Sequence, residues 1–200
     1  MNGRTLRFLL VPDGSAARRL RRVLAEQGAI SGLVVGMWPE LMEWACRAYL
    51  VPEDTDDNDS SFKRALEEFK AAFWSESLSV APVETGAAVR LALTEVISAT
   101  DPIRDIEMAG PEDLPERPRR HLDDLFRLVR LREGRLPSEL SAMRSLFFTD
   151  SDDALHTIRV YHIENIPRLT RWQTKLVEKL NQDAGRTGGA AGRSVAPDSE

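Results

Sequence analysis

Leu6 to Val11 is apolar except for Arg7 and runs into Pro12-Asp13-Gly14-Ser15, after which a helical pattern begins. A turn of this kind presents free backbone N–H groups and the positive end of a helix dipole, an arrangement that favours an anion. A working phosphate loop also needs several glycines for close backbone approach and a lysine for the terminal phosphates. The residues here read Val11-Pro12-Asp13-Gly14-Ser15-Ala16-Ala17-Arg18-Arg19-Leu20, with one glycine, no lysine and an acid that repels phosphate. Asp13, Gly14 and Ser15 therefore read as a degenerate phosphate loop in which Asp13 or Ser15 caps the helix, and nucleotide hydrolysis is not expected.

Arg18, Arg19, Arg21 and Arg22 put four cations within five residues on the helix face opposite its apolar stripe. Guanidinium groups so arranged can track a phosphate backbone, or form a solvated face with partners such as Glu26. Trp38, at a strand-to-helix turn, is the tryptophan best placed to stack on a base; Trp44, Trp74 and Trp172 fall on apolar helical stripes and read as core or interface anchors. His121, His156 and His162 make no metal-binding spacing, so no metal or other cofactor is expected. The acid pairs Asp123-Asp124 and Asp152-Asp153 read as caps and helix-dipole complements, and no catalytic set emerges.

The elements that must position these residues follow from periodicity. A strand over Leu6–Val11, a helix over Ser15–Gln27 closed by Gly28, a strand over Ile30–Met37 and a helix opened by Pro39 form a parallel strand-helix-strand start. Pro52 to Ser61, with five acids, reads as a solvated loop. Amphipathic helices follow at Phe62–Phe73, Glu84–Ile97, Arg119–Arg132 and Pro137–Phe148. A third strand over His156–Ile163 and a last helix after Pro167 close the pattern, and Asp183 to Glu200, poor in large apolar residues, reads as a disordered tail or linker. The expected organisation is an α/β core over 1–51 and 154–182, a helical insertion over 52–153 and a tail over 183–200.

With 200 residues, 42% apolar content and a net charge of −5, the chain can bury a real core and is no general polycation. Cys46 is the single cysteine, which excludes an intramolecular disulfide and fits a reducing compartment, here the cytoplasm. The N-terminal apolar run is too short for a signal peptide, and no segment reads as a membrane span.

Two stretches, Phe8-Leu9-Leu10-Val11-Pro12 with its arginine-rich helix and Gly32-Leu33-Val34-Val35-Gly36-Met37-Trp38-Pro39-Glu40-Leu41, resemble the N-terminus of the B subunit of AddAB-type helicase-nucleases, PD-(D/E)XK nuclease family proteins. Ile158 to Thr170 is similar to that family's strand-then-helix segment, with His162 where a glycine is expected. The resemblance covers under half the chain. It implies a P-loop, helicase-like three-layer core with a degenerate phosphate loop and a helical insertion, without the family's nuclease or its four-cysteine iron-sulfur cluster. It also implies a non-catalytic role in double-strand-break repair: contact with single-stranded DNA or a duplex end through Arg18, Arg19, Arg21, Arg22 and Trp38, and packing against an A-type subunit. The alternative is a protein-interaction module that docks a partner through Phe73, Trp44, Trp74 and Trp172.

Overall fold

In the computed structural model the described residues are 5–28, 32–52, 58–102, 114–131, 136–150, 152, 154–162 and 169–190. Three parallel strands, β1 (Thr5–Leu10), β2 (Leu33–Gly36) and β3 (Thr157–His162), form a sheet in the order β2-β1-β3. Helix α1 (Gly14–Glu26) joins β1 to β2, and α2 (Trp38–Ala48) follows β2. Then come α3 (Asn58–Glu68), α4 (Ser75–Val80), α5 (Pro82–Ala99), α6 (Glu116–Leu131) and α7 (Ser138–Phe148), before β3 and α8 (Arg171–Ala190). The chain is thus α/β, with a small parallel sheet compatible with a Rossmann-like layout. Among the described residues no helix is long and apolar enough to cross a membrane.

The register sets the two faces of the sheet. Phe8 lies beside Val34 and Val160, and Leu10 beside Gly36 and His162. Phe8, Leu10, Ile158 and Val160 are all buried on that face. On the other face Leu9 and Val35 pack with Val11 against Ala16, Ala17, Leu20 and Leu24 of α1. The same face of β3 carries Arg159 and Tyr161, paired with Arg7 and Leu9, and both are exposed. The apolar run of β1, broken only at Arg7, suggests cover on both faces; on the Leu9 face α1 supplies it over β1 and β2 among the described residues.

Both outer edges of the sheet are met by side chains. At β2, Arg21 Nε donates to the Val35 carbonyl at 3.0 Å, a carbonyl that alternation turns away from β1. At β3, Val160 N–H donates to Asn181 Oδ1 at 2.8 Å while Asn181 Nδ2 donates to Val160 O at 3.2 Å. Each side chain takes up backbone groups that would otherwise template another strand.

The chain divides into two compact units, Met1–Glu53 with Ser145–Glu200 and Asp54–Arg144. The second boundary falls before the one expected at 153, because Leu146 is buried and the Phe147 ring meets Trp172 edge-on at 6.2 Å, within the first unit. Three element expectations are corrected. The helix expected over Phe62–Phe73 starts at Asn58, inside the stretch read as loop, and ends at Glu68; α4 follows as a separate turn. The break is held by Asp124 Oδ2, which accepts the Phe73 N–H at 2.9 Å, and by Ser75 Oγ donating to Phe69 O at 3.2 Å. The tail expected from Asp183 is helical to Ala190, with Asp183 4% and Ala184 2% exposed. Ile30, the loop acids at 53–57, Ile163 to Arg168, Asp153 and the tail beyond 190 lie outside the described residues.

Helix α2 stops at Tyr49 with Leu50 in the left-handed region, φ 53°, while Val51 N–H returns to Cys46 O at 2.9 Å. This reversal normally takes glycine. Here it leaves Leu50 exposed and Tyr49 in the core.

Candidate functional site

The β1–α1 turn is closed by its own acid. Asp13 Oδ1 accepts from Ser15 N–H at 2.8 Å, Ala16 N–H at 2.9 Å and Ser15 Oγ at 2.7 Å. The Ser15 hydroxyl first, and then the Ala16 N–H, hold the Asp13 carboxyl below its usual value. The position a phosphate would take at this helix terminus is filled by a carboxylate of the chain. A β-carbon placed on Gly14 would lie 3.5 Å from Arg18 Nη1 and 4.0 Å from Met37 Sδ. Arg18 therefore folds back over the turn, in the direction helical side chains lean. Met37, which precedes the half-buried Trp38, borders the same glycine.

The four arginines of α1 part company. Besides the Val35 carbonyl, Arg21 Nη2 reaches Glu40 Oε1 at 3.2 Å. Glu40 Oε2 in turn accepts the Met37 N–H at 2.6 Å and caps α2. That backbone bond first, and Arg21 after it, keep the Glu40 carboxyl below its ordinary value. Gly36 is required at this junction, since a β-carbon there would sit 2.8 Å from both Glu40 Oε2 and the Phe8 ring. Arg21, expected among the phosphate contacts, is also bonded within the fold, because the edge carbonyl and the capping carboxylate both lie within its reach. Arg18, Arg19 and Arg22 are exposed and make no ion pair among the described residues.

One polar cluster has no counterpart in the sequence pattern. Tyr49 Oη donates to Asp183 Oδ2 at 2.9 Å, and Lys179 Nζ donates to the same oxygen at 2.7 Å while lying 5.0 Å from the Tyr49 ring centre. Burial, and then the neighbouring Asp183 carboxylate, raise the Tyr49 pKa far above its usual value. Tyr49 therefore stays a donor at every physiological pH. The only local signal is the four-residue spacing of Lys179 and Asp183, a common helix-surface pair. The cluster fastens α8 to the end of α2.

The other singled-out residues scatter. Trp74 and Trp172 are buried, whereas Trp44, expected on an apolar stripe, is 38% exposed because α2 turns Leu41, Met42, Ala45 and Ala48 inward instead. His121 stacks on Phe73, and His156 and His162 are exposed. Among the described residues no three His, Cys, Asp or Glu side chains are grouped to hold a metal ion. Comparison with protein-family models, with curated proteins and with solved structures found no match to this chain.

Proposed function

We propose that this chain is a non-catalytic domain with a degenerate P-loop, helicase-like core, which serves double-strand-break repair by binding DNA and packing against an A-type helicase-nuclease subunit. The observation that supports the reading is the β1–α1 turn: Asp13 takes two N–H groups of the helix N-terminus, and Arg18 lies over the turn at Gly14. Such a site has two of its terminal N–H groups taken by its own carboxylate and no lysine for phosphoryl transfer. It keeps Arg18, Arg19 and Arg22 as a solvent-facing row of charge for a polyanion, with Trp38 nearby as a stacking surface. The docking alternative is weakened at two of its anchors, Trp74 and Trp172, which are in the core.

Fluorescence anisotropy of a labelled single-stranded oligonucleotide at two salt concentrations tests this. Binding should weaken with salt, and the triple variant Arg18→Ala, Arg19→Ala, Arg22→Ala should flatten the log K against log salt slope by about 0.7 for each phosphate no longer neutralised. Arg21→Ala should leave the slope unchanged. Absence of binding at low salt, or a triple variant that binds like the parent, would sink the reading.

A further inference from the structure

The first turns of α6 and the connection between α3 and α4 border an open, solvent-facing cavity of about 680 Å³, within the roughly 300–1,000 Å³ typical of small-ligand sites. Its walls carry Lys70, Arg117 and Arg120, and none of these three side chains forms an ion pair or hydrogen bond among the described residues. Glu76 and Glu116 border the same cavity and leave these cations unpaired. Beside them Phe73 and His121 are stacked, ring centres 4.0 Å apart and planes 22° from parallel, and both line the cavity.

This aromatic pair is held from behind. Asp124 accepts the Phe73 N–H at 2.9 Å, and the buried Trp74 meets the Phe73 ring edge-on at 4.9 Å and is itself backed by Phe69 at 5.6 Å. Arg117, Arg120 and His121 share one face of α6 through their three- and four-residue spacings. A rigid aromatic wall next to unpaired cations is the pairing that nucleotides use, with the base stacked and the phosphate on guanidinium groups. Three cations face two carboxylates in the lining, with the Asp124 carboxylate engaged by the Phe73 N–H behind it, so the site can neutralise one phosphate and not a triphosphate.

We propose that this cavity binds one nucleotide unit, a stacked base with a single phosphate, supplied either as a free nucleoside monophosphate or within a single strand. The proposal stands on the second unit alone and does not rest on the α1 reading. Titration calorimetry of the full chain with thymidine 5′-monophosphate, thymidine and inorganic phosphate tests it. The monophosphate should bind, with thymidine and phosphate each at least roughly tenfold weaker, about what one stacking contact contributes. Arg117→Ala with Arg120→Ala should cost more than tenfold, and Phe73→Leu or His121→Ala should reduce affinity toward that of phosphate. Two of these variants alter only partly or fully exposed positions, so a failure of Phe73→Leu to fold leaves the test intact. Arg18→Ala with Arg22→Ala should change nothing, which separates failure here from failure of the α1 reading. Displacement of the monophosphate by oligothymidylate identifies a strand as the source; its absence identifies the free nucleotide. No monophosphate binding, equal binding of inorganic phosphate, or an unaffected Arg117 and Arg120 double variant would overturn the proposal.

Discussion

Helix α1 and the first turns of α6 are both arginine-rich, and they differ in what surrounds their guanidinium groups. Around α1 the chain brings its own carboxylates: Asp13 fills the helix terminus and Glu40 holds Arg21. Around α6 the carboxylates that line the cavity, Glu76 and Glu116, pair with neither Arg117 nor Arg120, which have no ion-pair partner among the described residues. A basic run in a sequence is therefore not yet a binding surface. Its meaning depends on which cations the fold has already used.

That contrast can be graded by how fully each charge is engaged. The largest expected effect is at Asp183, where Asp183→Ala strips a buried carboxylate from Lys179 and Tyr49 and should cost about 3 kcal/mol in chemical denaturation. A destabilisation below about 1 kcal/mol would place this cluster with the weak surface pairs. Gly36→Ala comes next: its β-carbon collides with Glu40 and Phe8, and stability should fall by about 2 kcal/mol. At Arg21, removal of the guanidinium leaves the Val35 carbonyl and Glu40 without their partner, and Arg21→Ala should reduce stability by about 1 kcal/mol. Arg22→Ala, one residue away, should stay within about 0.5 kcal/mol, and equal effects at the two would erase the distinction drawn within α1.

Asp13→Ala should lower stability, as the loss of an N-cap does. Because the capping bonds lower the Asp13 pKa on folding, this stability is present above the ordinary value of 3.8 and fades as the pH falls through the lowered one. Denaturation midpoints of the parent and Asp13→Ala should accordingly converge in acid and separate toward neutrality. At the small end, Arg117→Ala and Arg120→Ala should each change stability by less than about 0.5 kcal/mol, since neither side chain has a partner among the described residues. A marked destabilisation by either would mean that the cavity wall is structural.

Much of this fold is legible along the chain, and the failures are specific. Most strands and helices lie within a few residues of where periodicity puts them, because a continuous apolar run ended by Pro12 and a four-residue stripe such as Leu20 with Leu24 carry their own signal. The helix expected through Phe73 breaks at Glu68 because an acid 51 positions later takes the Phe73 N–H, information no local window contains. Asp183 reads as the start of a tail because Gly and Ala follow it. Its helix is stabilised by Tyr49, 134 residues earlier.

The sequence by itself determined the α/β alternation, a cap at Asp13 or Ser15, the absence of a phosphate-loop lysine and the lack of any multi-cysteine site. Each depends on residue type or on spacing within one or two turns, so each can be read without knowing what lies across the core. Only the tertiary structure decided that Arg21 belongs to the sheet edge while Arg18 and Arg22 face solvent, that Trp44 is exposed and Trp172 buried, and that Lys70 joins Arg117 and Arg120 around one cavity. Those outcomes depend on distances between residues far apart in the chain, and electrostatic and stacking energies fall off over a few ångströms.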